Sequence, residues 1–142
     1  MPDYNFTVKI PTNTEESDPE RIDLSLTKGL IAGGQIFFPA GCHGLAHVTI
    51  HDGRGQLYPA NKDDTFHGED GAIPLVGRHE IDAVPFMLFA QAWNEDDTYD
   101  HTIQITLNIL TLEEVNLNPI MQRLLDVMTA MKKLLVGRRL SY

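Results

Sequence analysis

A single cysteine, Cys42, stands in 142 residues, so no disulfide can close within the chain and a cysteine-rich zinc site is excluded. No apolar run approaches the roughly 18 residues that read as a membrane-spanning helix. Met1 to Ile10 lacks both the basic start and the apolar centre of a secretory signal, so the expectation is a soluble chain that is not exported by these routes. Catalytic signatures are missing too: there is no G-x-S-x-G, no Walker loop, no H-E-x-x-H and no G-x-G-x-x-G. The expectation is a protein that is not an enzyme, with no catalytic residue, no cofactor and no metal site.

Basic residues are scarce and unevenly placed. Against 20 Asp and Glu there are 11 Lys and Arg, a net charge of −9. Residues 1–118 hold 6 Lys and Arg against 19 Asp and Glu, a balance of −13, whereas residues 119–142 hold Arg123, Lys132, Lys133, Arg138 and Arg139 against Asp126 alone, a balance of +4. The acidic body repels phosphate backbones, which argues against a nucleic-acid partner on that surface. Between identical subunits the basic tail of one copy would be drawn to the body of another.

What is present is ordinary globular material: 42 % hydrophobic and 22 % charged residues in a length that suits one domain with at most one appended element. Tyr4, Phe6, Val8 and Ile10 alternate with polar residues, as do Ile22, Leu24 and Leu26, a period of two that predicts strands with one apolar face. Leu30 to Phe38 is more continuously apolar, and Gly33-Gly34 within it predicts a bulge or bend where another backbone comes close. A strand over Leu45 to His51 leads through Asp52-Gly53-Arg54-Gly55, the start of a tight hairpin, into Gln56 to Tyr58. After a polar stretch from Pro59 to Gly71 come a short strand over Ile73 to Val76, an irregular piece to Val84 and a central strand over Phe86 to Trp93. The last strand, around Thr102 to Ile109, presents one face to water or a partner. Seven or eight such strands predict an antiparallel β-sandwich, with a jelly roll preferred over an immunoglobulin-like topology. The domain organisation expected is a mainly β sandwich over residues 1–115, followed by one C-terminal α-helix and basic tail over 116–142.

The period changes near the end of the chain. Asn118 suits an N-cap, Pro119 the first helical position and Gly137 the residue that stops a helix, so the helix is predicted over about 119–136. Ile120, Leu124, Val127, Met131 and Leu134 follow the spacing of a coiled-coil seam, and Met121, Leu125, Met128 and Leu135 widen it on one side. Such a stripe must be covered, by the chain's own sandwich or by another chain. The strict seam favours another chain.

Several residue groups invite chemistry. His43, His47 and His51 recur every four residues, but on a strand His47 and His51 would stand about 13 Å apart, too far to share one zinc. The H-x-H spacing of a cupin site is absent, and the reading preferred is of histidines on a solvent face. Cys42 and His43 are adjacent, so their side chains diverge and Cys42 reads as a small buried thiol. The acidic turns Asp63-Asp64, Glu69-Asp70 and Glu95-Asp96-Asp97 match no EF-hand register and read as solvated charge. Tyr58, Phe66, Trp93, Tyr99 and His101 flank polar loops, where they would either plug the sandwich end or hold a sugar.

The runs Ile36-Phe37-Phe38-Pro39-Ala40-Gly41, Gly44-Leu45-Ala46-His47-Val48 and Gln56-Leu57-Tyr58-Pro59-Ala60-Asn61, with Trp93 to Thr102, resemble small uncharacterised β-sandwich proteins of tailed phages and environmental viral genomes. The resemblance covers residues 20 to 110 and leaves out the helix. It implies a virion component, such as a capsid decoration protein or a tail or baseplate accessory, and brings no catalytic residues with it. The function expected is a structural subunit that forms a homo-oligomer and contacts other proteins of the same assembly, with no membrane partner. The alternative is a carbohydrate-binding module, and a cytoplasmic location is the alternative to the virion. A metal-dependent cupin-like enzyme is the third reading.

Overall fold

The computed structural model describes residues 2–111 and 119–140, and within the latter the side chains of 123–135. Nine strands occur among the described residues: β1 (Asp3–Ile10), β2 (Glu20–Ser25), β3 (Gly29–Phe38), β4 (Ala46–Asp52), β5 (Gly55–Tyr58), β6 (Gly71–Leu75), β7 (His79–Ile81), β8 (Met87–Asn94) and β9 (His101–Leu110). They form two sheets. One runs in the order β1-β9-β3-β6, with β7 also on β3; the other runs β2-β8-β4-β5. Every pairing is antiparallel, so the fold is a mainly β antiparallel sandwich.

The period-two pattern accounts for the core. Val8, Ile10, Ile31, Ile36, Phe38, Ile103, Ile105, Leu107 and Ile109 from the first sheet are buried, as are Leu24, Ala46, Val48, Ile50, Leu88, Ala90 and Ala92 from the second. Burying one large aliphatic side chain stabilises the fold by about 1.5–3 kcal/mol, which is why the alternation also fixes the register. Strand β8 lies between β2 and β4, as expected for a central strand. On β9 the inward residues alternate with Thr102, Gln104, Thr106 and Asn108, none of which is buried.

Local features follow their residues. Asp52 Oδ1 accepts hydrogen bonds from the amides of Arg54 (2.7 Å) and Gly55 (3.0 Å), closing the expected hairpin between β4 and β5. A register shift between Ile31 and Gly33 marks the expected bulge. The piece expected to be irregular up to Val84 contains β7, which pairs with Gly29–Ile31 while β6 pairs with Gly34–Phe38. The edge of the first sheet is therefore one strand broken in two beside the bulge, and the strand count rises to nine.

The chain separates into two compact units, residues 1–111 and 112–142. In the second, the helix α1 (Pro119–Leu140) starts at the expected proline but does not stop at Gly137. A glycine inside a helix costs about 1 kcal/mol relative to alanine without forbidding it. Arginine, which occupies both positions after it, is a good helix former. Asn118, the expected N-cap, lies outside the described residues. No helix among the described residues is long and apolar enough to cross a membrane.

Candidate functional site

Antiparallel connections bring four loops, 11–19, 39–45, 59–70 and 95–100, to one end of the sandwich. Backbone hydrogen bonds tie them together: Asn13 N to Asp96 O (3.0 Å), Asn94 N to Thr14 O (3.0 Å), Glu95 N to Leu45 O (2.9 Å) and Gly44 N to Gly68 O (3.2 Å). Thr12 N adds a bond to Asp100 Oδ1 at 2.9 Å.

Two acidic turns, read from the sequence as solvated charge, organise this end. Asp96 Oδ1 accepts from the amides of Thr98 (2.8 Å) and Tyr99 (3.2 Å), an Asx-turn arrangement, while its Oδ2 stands 2.8 Å from His101 Nε2. Both partners are buried, Asp96 at 8 % and His101 at 7 % exposure. Glu69 accepts from the amides of Gly41 (2.7 Å) and His43 and so pins the 39–45 turn, where His43 is held at φ 48°. That conformation sends the His43 side chain outward, 74 % exposed, while Cys42 is fully buried. Burial, and then the charge of Glu69, push the Cys42 thiol up. The thiol is thereby kept from the thiolate form a nucleophile needs.

Between these loops opens a cleft of about 560 Å³. Tyr99, 66 % exposed, and His43, Thr98 and Asp100 line it with the Asp96–His101 pair. It presents an aromatic face beside hydroxyl, carboxylate and imidazole groups.

A second cluster sits on the outer face of the β2-β8-β4-β5 sheet. The His47 ring stacks on Trp93 (5.4 Å between centroids, 10° between planes) and meets His67 at 5.2 Å. Its Nδ1 bonds Thr65 Oγ1 at 2.8 Å; its buried Nε2 makes no hydrogen bond among the described residues and has Glu95 Oε2 at 3.5 Å. His51 shares that outer face but has its own partners, Phe89 (5.2 Å, stacked) and Thr49 Oγ1 (2.7 Å), and Arg21 covers the same Phe89 ring at 3.9 Å. The histidines are thus on the expected outer face, but His47 is largely covered rather than solvated. Among the described residues no three His, Cys, Asp or Glu are grouped to hold a metal ion.

Of the aromatic residues singled out by sequence, Tyr99 and His101 come together in the cleft. Trp93, 7 % exposed, lies under His47; Tyr58 is buried in the core and Phe66 packs against it. Sequence reading missed the parts played by Glu69, Asp96 and His43. The Asp96-x-Thr98 spacing is the one local signal that pointed to a structured turn.

On α1, Leu124, Leu125, Val127, Met128, Met131, Leu134 and Leu135 are 52–70 % exposed. At about 100° per residue these seven span about 180° of the helix circumference. The Ile120 side chain of the predicted seam lies outside the described residues.

Comparison with known protein families, with curated proteins and with solved structures finds no match to this chain.

The loop-end carboxylates predict acid lability. The Thr98 amide first, then His101 and the Tyr99 amide, hold the Asp96 carboxyl below its ordinary value of 3.8 against the opposing effect of burial. The Gly41 and His43 amides do the same for Glu69, whose ordinary value is 4.5. The unfolded chain therefore binds more protons than the folded one in this range. The stability these groups contribute is complete above their ordinary values and is lost as pH falls through the depressed ones. Melting temperature followed from neutral pH downwards should drop below about pH 4. In Asp96→Asn, which keeps an acceptor oxygen for the turn amides but has no charge to titrate, the drop should be shallower; an unchanged profile would remove Asp96 from this account.

Proposed function

We propose that this chain is a non-enzymatic structural subunit of a larger assembly, a jelly-roll sandwich joined to copies of itself through α1. The observation that carries the reading is the row of seven large apolar side chains, 52–70 % exposed, on half the surface of one helix. Their complete burial is worth on the order of 10 kcal/mol, a surface that monomeric proteins do not usually leave uncovered. The strand orders support the jelly-roll reading. With β6 and β7 counted as one broken edge strand, the eight strands divide four and four, and every connection except the β4–β5 hairpin crosses from one sheet to the other, as in a double Greek key.

The resemblance to phage and environmental viral sandwich proteins supports a virion setting for the subunit, as a capsid decoration protein or a tail or baseplate accessory. Genes for capsid or tail proteins beside this one would support that setting; metabolic neighbours would oppose it. Light scattering on the full chain tests the association itself. The mass expected is a multiple of 15.9 kDa, and a monomer at every concentration would overturn the reading.

A second reading rests on the loop-end cleft. Tyr99, 66 % exposed beside Asp100, Thr98 and His43, offers an aromatic face and polar groups of the kind that hold a sugar ring. Trp93 is too covered to serve as that platform in this conformation. Binding on a glycan array that Tyr99→Ala abolishes would favour a carbohydrate-binding module; no binding would leave the cleft as a structured loop end.

A further inference from the structure

The free edge of the first sheet is complementary to itself. Strand β1 ends the path β1-β9-β3-β6 and runs for eight residues in unbroken register with β9, without a proline or bulge to blunt it. The other edges are shorter: β2 has six residues, β5 four and β7 three, while β6 has five and carries Pro74, which has no N–H to offer. Ile109 N donates to Pro2 O at 3.1 Å, one step before the pair Asp3 and Asn108. In an antiparallel ladder such hydrogen-bonded pairs alternate with pairs whose backbone groups point away. The even-numbered residues of β1 therefore bond β9, and Asp3, Asn5, Thr7 and Lys9 turn their N–H and C=O groups outwards. No hydrogen bond among the described residues reaches those outward backbone groups.

A second copy meets these requirements about a two-fold axis at Phe6. Asp3 then pairs with Lys9 of the second copy and Asn5 with Thr7, so that each outward N–H and C=O of one strand finds its counterpart on the other. Lysine on an edge ordinarily discourages a further strand, but in this register it meets a carboxylate at each end. Within one chain Lys9 has only a loose contact with Asp100, at 3.7 Å with both side chains exposed. Moving the axis to Asn5 or Thr7 keeps the backbone parity but separates Asp3 from Lys9. On the inward face Val8 and Ile10 are buried, whereas Tyr4 and Phe6 are only half-buried. The two-fold sets Phe6 against Phe6 and Tyr4 against Val8, in the closer, non-hydrogen-bonded pairs.

We infer that β1 is a docking edge for a second copy of this chain, paired antiparallel about Phe6, so that the first sheet continues from one subunit into the next. The inference rests on the self-association proposed above and adds a second contact to it. One pair of eight-residue edges is a small interface of the weak class, and it holds where α1 raises the local concentration of strands. Two distinct self-contacts per subunit join chains into larger assemblies than either contact makes alone.

Cysteine crosslinking in the full chain reads the register. Cys42 is fully buried, so in the folded protein an introduced thiol reports alone. Asn5 and Thr7 are exposed, and as a hydrogen-bonded pair their Cα atoms would stand about 5.5 Å apart, inside the roughly 7 Å that a disulfide allows. Asn5→Cys and Thr7→Cys chains, one of them tagged, are mixed and oxidised mildly. Crosslinks between unlike chains, with few in either variant alone, are the expected result. Lys9→Glu in both chains should cut the yield severalfold by setting carboxylates against each other, and adding Asp3→Lys should restore it.

Crosslinks within one variant alone would show a shifted or parallel register and overturn the inference, as would a yield indifferent to both charge changes. An oligomer that crosslinks at neither position would overturn the inference and leave the association through α1 standing. In chains that also carry Leu124→Glu and Met131→Glu the crosslinks should fall away at the same concentration; their persistence would keep the strand pairing and overturn the part proposed for α1. A wild-type chain that is monomeric at every concentration and forms no crosslinks would overturn both. If Asn5→Cys disturbs the strand by giving up its bond from Thr106 Oγ1, Asp3→Cys with Lys9→Cys asks the same question from the strand ends.

Discussion

A chain carrying Leu124→Glu and Met131→Glu runs as a monomer and keeps the β-sheet signal and melting temperature of the wild-type sandwich. The two side chains are 52 % and 59 % exposed within one chain, so glutamate at either site disturbs little of the chain's own structure. In an oligomer both fall in the seam. Loss of a large buried side chain costs about 2–5 kcal/mol, and an unpaired charge held there costs more. Two sites per chain therefore weaken association by at least about a thousandfold, at roughly 1.4 kcal/mol for each tenfold step. Thr129→Glu, on the polar side of the same helix, should leave the mass unchanged. Light scattering beside thermal melts reads both properties. A wild type that is already monomeric, and whose melt collapses in the double mutant, would mean that the stripe is covered within its own chain.

The sandwich was legible because a buried sheet face imposes a period of two, and β1, β8 and β9 carry that period over eight to ten residues each. Strand β7 was not. It has three residues with a single buried side chain, Ile81, and what makes it a strand is the open stretch of β3 beside the bulge. Gly137 misled for a related reason: glycine permits a helix stop but does not impose one.

The loop end was only half legible. Acidic turns and flanking aromatics could be picked out, but Glu69 bonds amides 26 and 28 residues away, and such pairings exist only once the topology has brought the loops together. Trp93 shows the same limit. Strand parity places it on the outer face, yet its covering by His47 depends on Thr65 and on a loop whose path leaves no mark in the alternation.

Gly34→Ala is expected to be among the most damaging single substitutions in the sandwich. Gly34 lies in β3 where β9 and β6 flank it, opposite Leu107 and Leu75. An added Cβ would stand 2.0 Å from the carbonyl oxygen of Thr106, with the Thr106 carbonyl carbon at 3.1 Å and Leu107 Cα at 3.2 Å. All three are backbone atoms of a central strand, so nothing can rotate aside; β9 must shift, and its ladders to both β1 and β3 shift with it. Overpacking costs typically about 1–3 kcal/mol and occasionally more, and the rigidity of the neighbour places this site at or above the top of that range. Against a total stability of about 5–15 kcal/mol for a domain, the variant should melt far below wild type or accumulate unfolded. Gly33→Ala fails for a different reason, its φ of +149° with no atom closer than Leu75 O at 3.5 Å, and should cost less. Gly53→Ala in the β4–β5 turn has open space around the new Cβ and should stay within about 0.5 kcal/mol of wild type. Denaturant melts of the three variants rank them, and a Gly34→Ala protein as stable as Gly53→Ala would show that β3 and β9 do not approach as closely as this packing requires.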